Sequence, residues 1–142
     1  YYYYYYYYKI SGHFKTQLAW NLTISKSTYS MTGAASRNEW NVYEEFKLRT
    51  NISNTNTPEF IIRKRNFFDR FKSNTFTVSR NTAYVIIGAS EKFDLPHMAI
   101  DLFSTPINRN KLHEITFKNQ VLEVTIPFYD EGYSFISELI KN

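Results

Sequence analysis

Histidine is the side chain that most readily exchanges a proton near neutral pH, and this chain has three: His13, His97 and His113. None stands in an HExxH, HxH or comparable ligand spacing. The densest grouping of chemistry-bearing residues is Asp94, His97 and Asp101. On a helix these three would share one face. Pro96 sits inside the set, however, and a surface turn is the expected setting rather than a metal or acid–base cluster. The serines occur in no GxSxG context, and the four glycines are too dispersed to form GxGxxG or a Walker loop. Glu44 and Glu45 are strand neighbours, so they face opposite sides and cannot act as a pair. Asp130 and Glu131 precede a helical pattern, where negative charge favours a helix N-terminus. Cysteine is absent, which removes disulfides, thiolate metal sites and a cysteine nucleophile together. Nothing here assembles a nucleophile, a base and an orienting partner. The sequence implies no catalytic residue, no metal and no cofactor, and an enzyme with no recognisable site is the third functional reading.

Binding potential is concentrated in residues 63–72, RKRNFFDRFK. Arg63, Lys64, Arg65, Arg70 and Lys72 are interleaved with Phe67, Phe68 and Phe71, against one acid, Asp69. In the plainest reading the phenylalanines tuck under a loop and the bases are its solvated face. A second reading dips the loop into an anionic membrane, with rings inserting and bases meeting lipid phosphates. A third stacks the rings on single-stranded nucleic acid. A protein partner is the remaining option for this segment.

The bulk properties set the frame. A chain of 142 residues is one domain of ordinary size and can bury a core without a metal or disulfide staple. The net charge of +4 is a mild basic excess rather than a clustered basic face. Eight of the aromatic residues are the opening Tyr1–Tyr8. That homopolymer is expected to be disordered, artefactual or a juxtamembrane belt, since tyrosine favours the membrane–water interface; its β propensity would also suit an edge strand. No apolar run reaches the length of a spanning helix, and no signal-peptide core is visible, so any anchor would precede Tyr1.

Period-two alternation marks the strands. Phe14, Leu18, Trp20, Leu22 and Ile24 share one parity, predicting a strand over 14–24. Residues 25–41 lose the pattern and read as a connection with a short helix around 34–40. Strands follow at 42–52 and 60–65, joined as a hairpin across the Asn/Ser/Thr/Pro cluster 51–58. A second hairpin pairs 75–79 with 83–89. Tyr84, Val85, Ile86 and Ile87 are apolar on both parities, which predicts a central strand covered on both faces. Residues 96–103 fit either a strand or one or two helical turns. A third hairpin joins 112–117 to 121–128 with Asn119-Gln120 near the turn, and Pro127 suits a strand end or an edge. Tyr133, Ile136, Leu139 and Ile140 recur at helical spacing after Gly132, predicting a closing amphipathic helix over 133–141.

The expected fold is α+β and mostly antiparallel: about seven strands in hairpins, as a barrel or two-layer sandwich, closed by a short C-terminal helix. Residues 9–142 form a single β-rich domain. Several strands capped by one terminal helix resemble a pleckstrin-homology-like barrel. The tyrosine-rich start, β-rich body and terminal helix together resemble the soluble part of membrane-anchored bacterial proteins. No motif carries either resemblance, so neither assigns a residue a role. The functional expectation is a non-catalytic binding or structural domain, tethered to a membrane through a segment before Tyr1 and contacting a protein partner. This favours a membrane-associated, periplasmic or extracellular setting. The alternative is an anionic-surface binder, for lipid head groups or nucleic acid, using residues 63–72.

Overall fold

Along the strands, every second side chain enters one apolar layer. Trp20, Leu22, Phe46, Leu48, Phe60, Ile62, Ile86, Ile115, Phe117, Leu122, Val124 and Ile126 are all buried, as strand periodicity requires when one face meets a core. In a computed structural model, described for residues 3–13, 19–32, 38–53 and 55–140, these residues lie on one antiparallel sheet with three α-helices. The strands are β1 (Tyr3–His13), β2 (Ala19–Thr32), β3 (Asn38–Asn51), β4 (Phe60–Lys64), β5 (Thr75–Thr77), β6 (Tyr84–Ile87), β7 (Glu114–Lys118) and β8 (Val121–Pro127). The helices are α1 (Asp94–Leu102), α2 (Ser104–Asn108) and α3 (Asp130–Ile140), and a 3-10 turn spans Phe67–Phe71. The spatial order is β1-β2-β3-β8-β7-β4-β6-β5.

The α+β, antiparallel class expected from the sequence is the observed one. The barrel and the two-sheet sandwich are not: the strands form a single open sheet that does not close on itself. Helices cover one face instead. Leu95, Ala99, Ile100, Phe103, Ile107, Ile136 and Leu139 join the strand residues in one core cluster. Phe103, between α1 and α2, meets Trp20 of β2 edge-on at 5.8 Å and Phe135 of α3 at 5.9 Å. Each such fully buried side chain contributes roughly 1.5–3 kcal/mol, so the layer needs no staple. Among the described residues, no helix is long and apolar enough to cross a membrane.

Several local expectations give way to long-range pairing. Residues 25–32 and 38–41 are strand, because β2 and β3 pair from Asn21↔Arg49 to Thr32↔Asn38. Ser, Thr, Asn, Lys and Glu dominate there and only Tyr29, Met31 and Trp40 are large and apolar, so no sustained alternation announces a strand whose backbone is nonetheless paired. Residues 14–18 and 33–37 lie outside the described residues. Strands 42–52 and 60–65 do not form a hairpin: β3 pairs with β2 and β8, whereas β4 pairs with β6 and β7. The β7–β8 hairpin inserts between them. Tyr84–Ile87 is buried at its first three residues on both faces, but β6 is second from the edge and the middle of the sheet is β7 and β8. Residues 96–102 belong to α1, with Phe103 as its C-cap, and α3 begins at Asp130 rather than after Gly132.

The β7–β8 connection follows turn chemistry. Asn119 and Gln120 adopt φ of 53° and 64°, the left-handed pair of a two-residue type I′ hairpin. Pro127 closes β8, where its missing N–H costs no ladder bond.

Candidate functional site

The basic–aromatic segment begins on β4. In register, Arg63 lies opposite Val85 of β6 and Glu114 of β7, on the sheet face turned away from the helices. After Lys64 the chain leaves the sheet, held by the Arg65 N–H donating to the Ala83 carbonyl at 2.8 Å. A reciprocal capping box then starts the 3-10 turn. The Phe68 N–H donates to Asn66 Oδ1 at 3.0 Å, and the Asn66 N–H donates to Asp69 Oδ2 at 2.7 Å. The exit is tied as well, since the Gly88 N–H donates to the Asn74 carbonyl at 3.1 Å, where Asn74 is left-handed at φ 61°.

A 3-10 helix has three residues per turn, so residues i and i+3 eclipse. Asp69 and Lys72 therefore share a stripe, and Phe68 and Phe71 share another. Asp69 is the stripe that points inward. It is 2% exposed, and the Arg63 guanidinium grips it through Nη1 at 2.9 Å and Nη2 at 2.7 Å. Lys72 Nζ stands 3.9 Å from the same carboxylate. The Arg63 hydrogen bonds, then that of the Asn66 N–H, hold the Asp69 carboxyl down at about 2 against the opposing effect of burial. The turn is thus fastened by its only acid.

With Asp69 inside, the rings point out. Phe67, Phe68 and Phe71 are 64%, 67% and 72% exposed. The plainest expectation, phenylalanines tucked under a loop, is overturned: the inward position is taken by a hydrogen-bonded carboxylate. The rings pack on one another, Phe67 against Phe68 at 5.5 Å and 88°, and Phe67 against Phe71 at 6.2 Å and 66°. Lys64, Arg65 and Lys72 are exposed around them. The Arg70 side chain lies outside the described residues.

The sequence reading misses what pairing brings beside this segment. The ends of β4, β7 and β8 enclose a groove of about 540 Å³, lined in part by Arg63, Lys64, Lys111, His113, Glu114 and Phe128. Lys111 and His113 come from the α2–β7 connection, where no local pattern distinguishes them. That connection is firmly placed. Asn81 Nδ2 donates to Ile107 O at 2.8 Å and to Asn110 Oδ1 at 2.7 Å, Tyr84 Oη donates to Leu112 O at 2.9 Å, and the His113 N–H donates to Thr125 O at 3.0 Å.

The other candidates disperse. Asp94, His97 and Asp101 share the exposed face of α1 rather than a surface turn. His97 Nε2 lies 3.7 Å from Asp101, whose other oxygen takes Arg80 at 3.1 Å. Among the described residues no cluster of three His, Cys, Asp or Glu is placed to hold a metal. Asp130 and Glu131 open α3, and Glu131 pairs with Arg109 at 3.1 Å. The His13 side chain lies outside the described residues. No family model, curated protein or solved structure matches the chain.

Proposed function

We propose that this domain is a non-catalytic binding module that seats residues 63–72 on an anionic membrane surface. The observation that carries the reading is the outward cluster of Phe67, Phe68 and Phe71 on a turn whose one acid is buried. Exposed contiguous apolar groups of this kind mark protein or membrane contacts. Lys64, Arg65 and Lys72 flank the rings, as lipid phosphates around inserted side chains would require. Burying the exposed part of each ring is worth roughly 1–2 kcal/mol, and each flanking base roughly 1 kcal/mol near an anionic leaflet. The rings and the bases thus contribute comparable shares, so neither alone holds the domain. Edge-to-face packing of the rings favours insertion as one cluster over stacking of successive bases, which needs separate platforms.

A protein partner with an acidic rim is the second reading, favoured by the same aromatic cluster, since interface hot spots centre on aromatics. Sedimentation with vesicles of phosphatidylcholine, with and without phosphatidylserine, separates the two. The membrane reading expects binding to the anionic vesicles, lost in Phe67→Ser/Phe68→Ser at unchanged thermal stability. A wild-type domain that stays in the supernatant with anionic vesicles at low salt sinks it.

A further inference from the structure

We infer that the groove between the ends of β4, β7 and β8 takes a phosphate monoester, carried on the headgroup of the anionic lipid that the loop engages. The inference rests on the membrane reading for its source of phosphate. The groove adjoins the turn that carries the rings, because Arg63 lines the groove and grips Asp69 of that turn. A volume of about 540 Å³ exceeds one phosphate and suits a phosphorylated ring or polyol.

The charges are arranged for an anion. Arg63 is committed to Asp69 and serves as a fixed wall. Lys64 and Lys111 line the groove as its other cations, and His113 lines it as well. Lys111 Nζ lies over the Tyr129 ring at 5.8 Å, which limits where its ammonium can swing. Asn110 holds the connection in a left-handed conformation, φ 56°, with its amide oxygen taken by Asn81. Lys111 and His113 therefore stand on a braced connection and Lys64 on the end of β4, which reduces the ordering cost of binding. Glu114 opposes the site as its lining acid. A dianionic monoester gains more from two ammonium groups than a singly charged diester or carboxylate does, so the groove should discriminate among lipids of equal surface charge.

The test uses vesicles matched in total charge, one set with phosphatidylserine and one with a phosphatidylinositol monophosphate, together with soluble inositol phosphate measured by calorimetry. Wild type is expected to bind the monophosphate vesicles about tenfold more tightly. Lys111→Ala/His113→Ala should abolish that preference while phosphatidylserine binding stays within about twofold. Glu114→Gln should enlarge the preference, a gain that no folding defect can mimic. Phe67→Ser/Phe68→Ser should lose both vesicles yet keep soluble inositol phosphate. Equal wild-type binding to both vesicle sets overturns the groove assignment and leaves the loop reading intact. Binding of soluble inositol phosphate without any vesicle binding overturns the lipid source and the membrane reading together.

Discussion

Arg63 and Asp69 form a two-pronged ion pair, with Nη1 to Oδ2 at 2.9 Å and Nη2 to Oδ1 at 2.7 Å, on a carboxylate that is almost fully buried. The pair ties the end of β4 to the middle of the 3-10 turn and decides which side of the turn faces solvent. Removing the Asp69 charge takes both charge-assisted hydrogen bonds from the Arg63 guanidinium and the negative end from the buried side of the turn. Asp69→Asn should therefore lower the melting temperature by several degrees and disorder the turn, read as loss of the ring–ring contacts by NMR. A variant that keeps both would show that the pair does not position the rings.

The same carboxyl sets a pH dependence. Its folded value is lowered from 3.8 to about 2, so between these pH values the unfolded chain binds the proton more readily. The stabilisation is fully present above about pH 4 and is lost as pH falls through about 2. Acid titration of stability should be flatter in Asp69→Asn across that window, and parallel curves for the two proteins would contradict the assignment.

Tyr84 gives the opposite window. Burial raises its hydroxyl from 10.0 to about 12, so the protonated phenol is favoured in the folded state. Its contribution is complete below pH 10 and is lost as pH rises towards 12. Tyr84→Phe should remove this alkaline loss and cost about 1 kcal/mol at neutral pH, because the Leu112 carbonyl loses its donor. Since Leu112 lies between Lys111 and His113, chemical-shift changes at both are expected in the same variant.

Ionic strength separates the two halves of the loop. Charge attraction at the surface decays over about 8 Å at physiological salt and about 3 Å at molar salt, whereas ring insertion is insensitive to screening. Wild-type affinity for phosphatidylserine vesicles should fall steeply with added salt. Lys64→Gln/Arg65→Gln should bind weakly at low salt and show a shallower slope. An affinity independent of salt would leave the bases without a role.

Gln120 occupies a left-handed position, φ 64°, in the β7–β8 turn. Glycine adopts that conformation without the steric cost of a Cβ. Gln120→Gly should stabilise the domain by about 1 kcal/mol, measured by denaturant unfolding. Its backbone carbonyl still accepts the Ile52 N–H at 2.8 Å, so the gain is not offset by a lost bond. Unchanged or reduced stability would mean that the side chain contributes more than the strain it causes.

Alternation alone revealed Trp20 and Leu22 of β2 as core residues, because burial on one sheet face imposes a period of two on the residues themselves. Turn chemistry located Asn119-Gln120, and helical spacing located α3. The basic–aromatic segment was also legible as composition. Its meaning was not, because the direction of a ring depends on which neighbour claims the inward position. Phe67, Phe68 and Phe71 face out where Asp69, bonded to Arg63 of β4, takes the inward position. Strand order was equally hidden: the β7–β8 hairpin comes late in the chain yet sits between β3 and β4, since ladder partners are chosen by backbone pairing across the whole domain. That insertion brings Lys111 and His113 beside Arg63 and Lys64. Local sequence carries periodicity and charge, whereas the joining of two distant pairs into one groove belongs to tertiary structure alone.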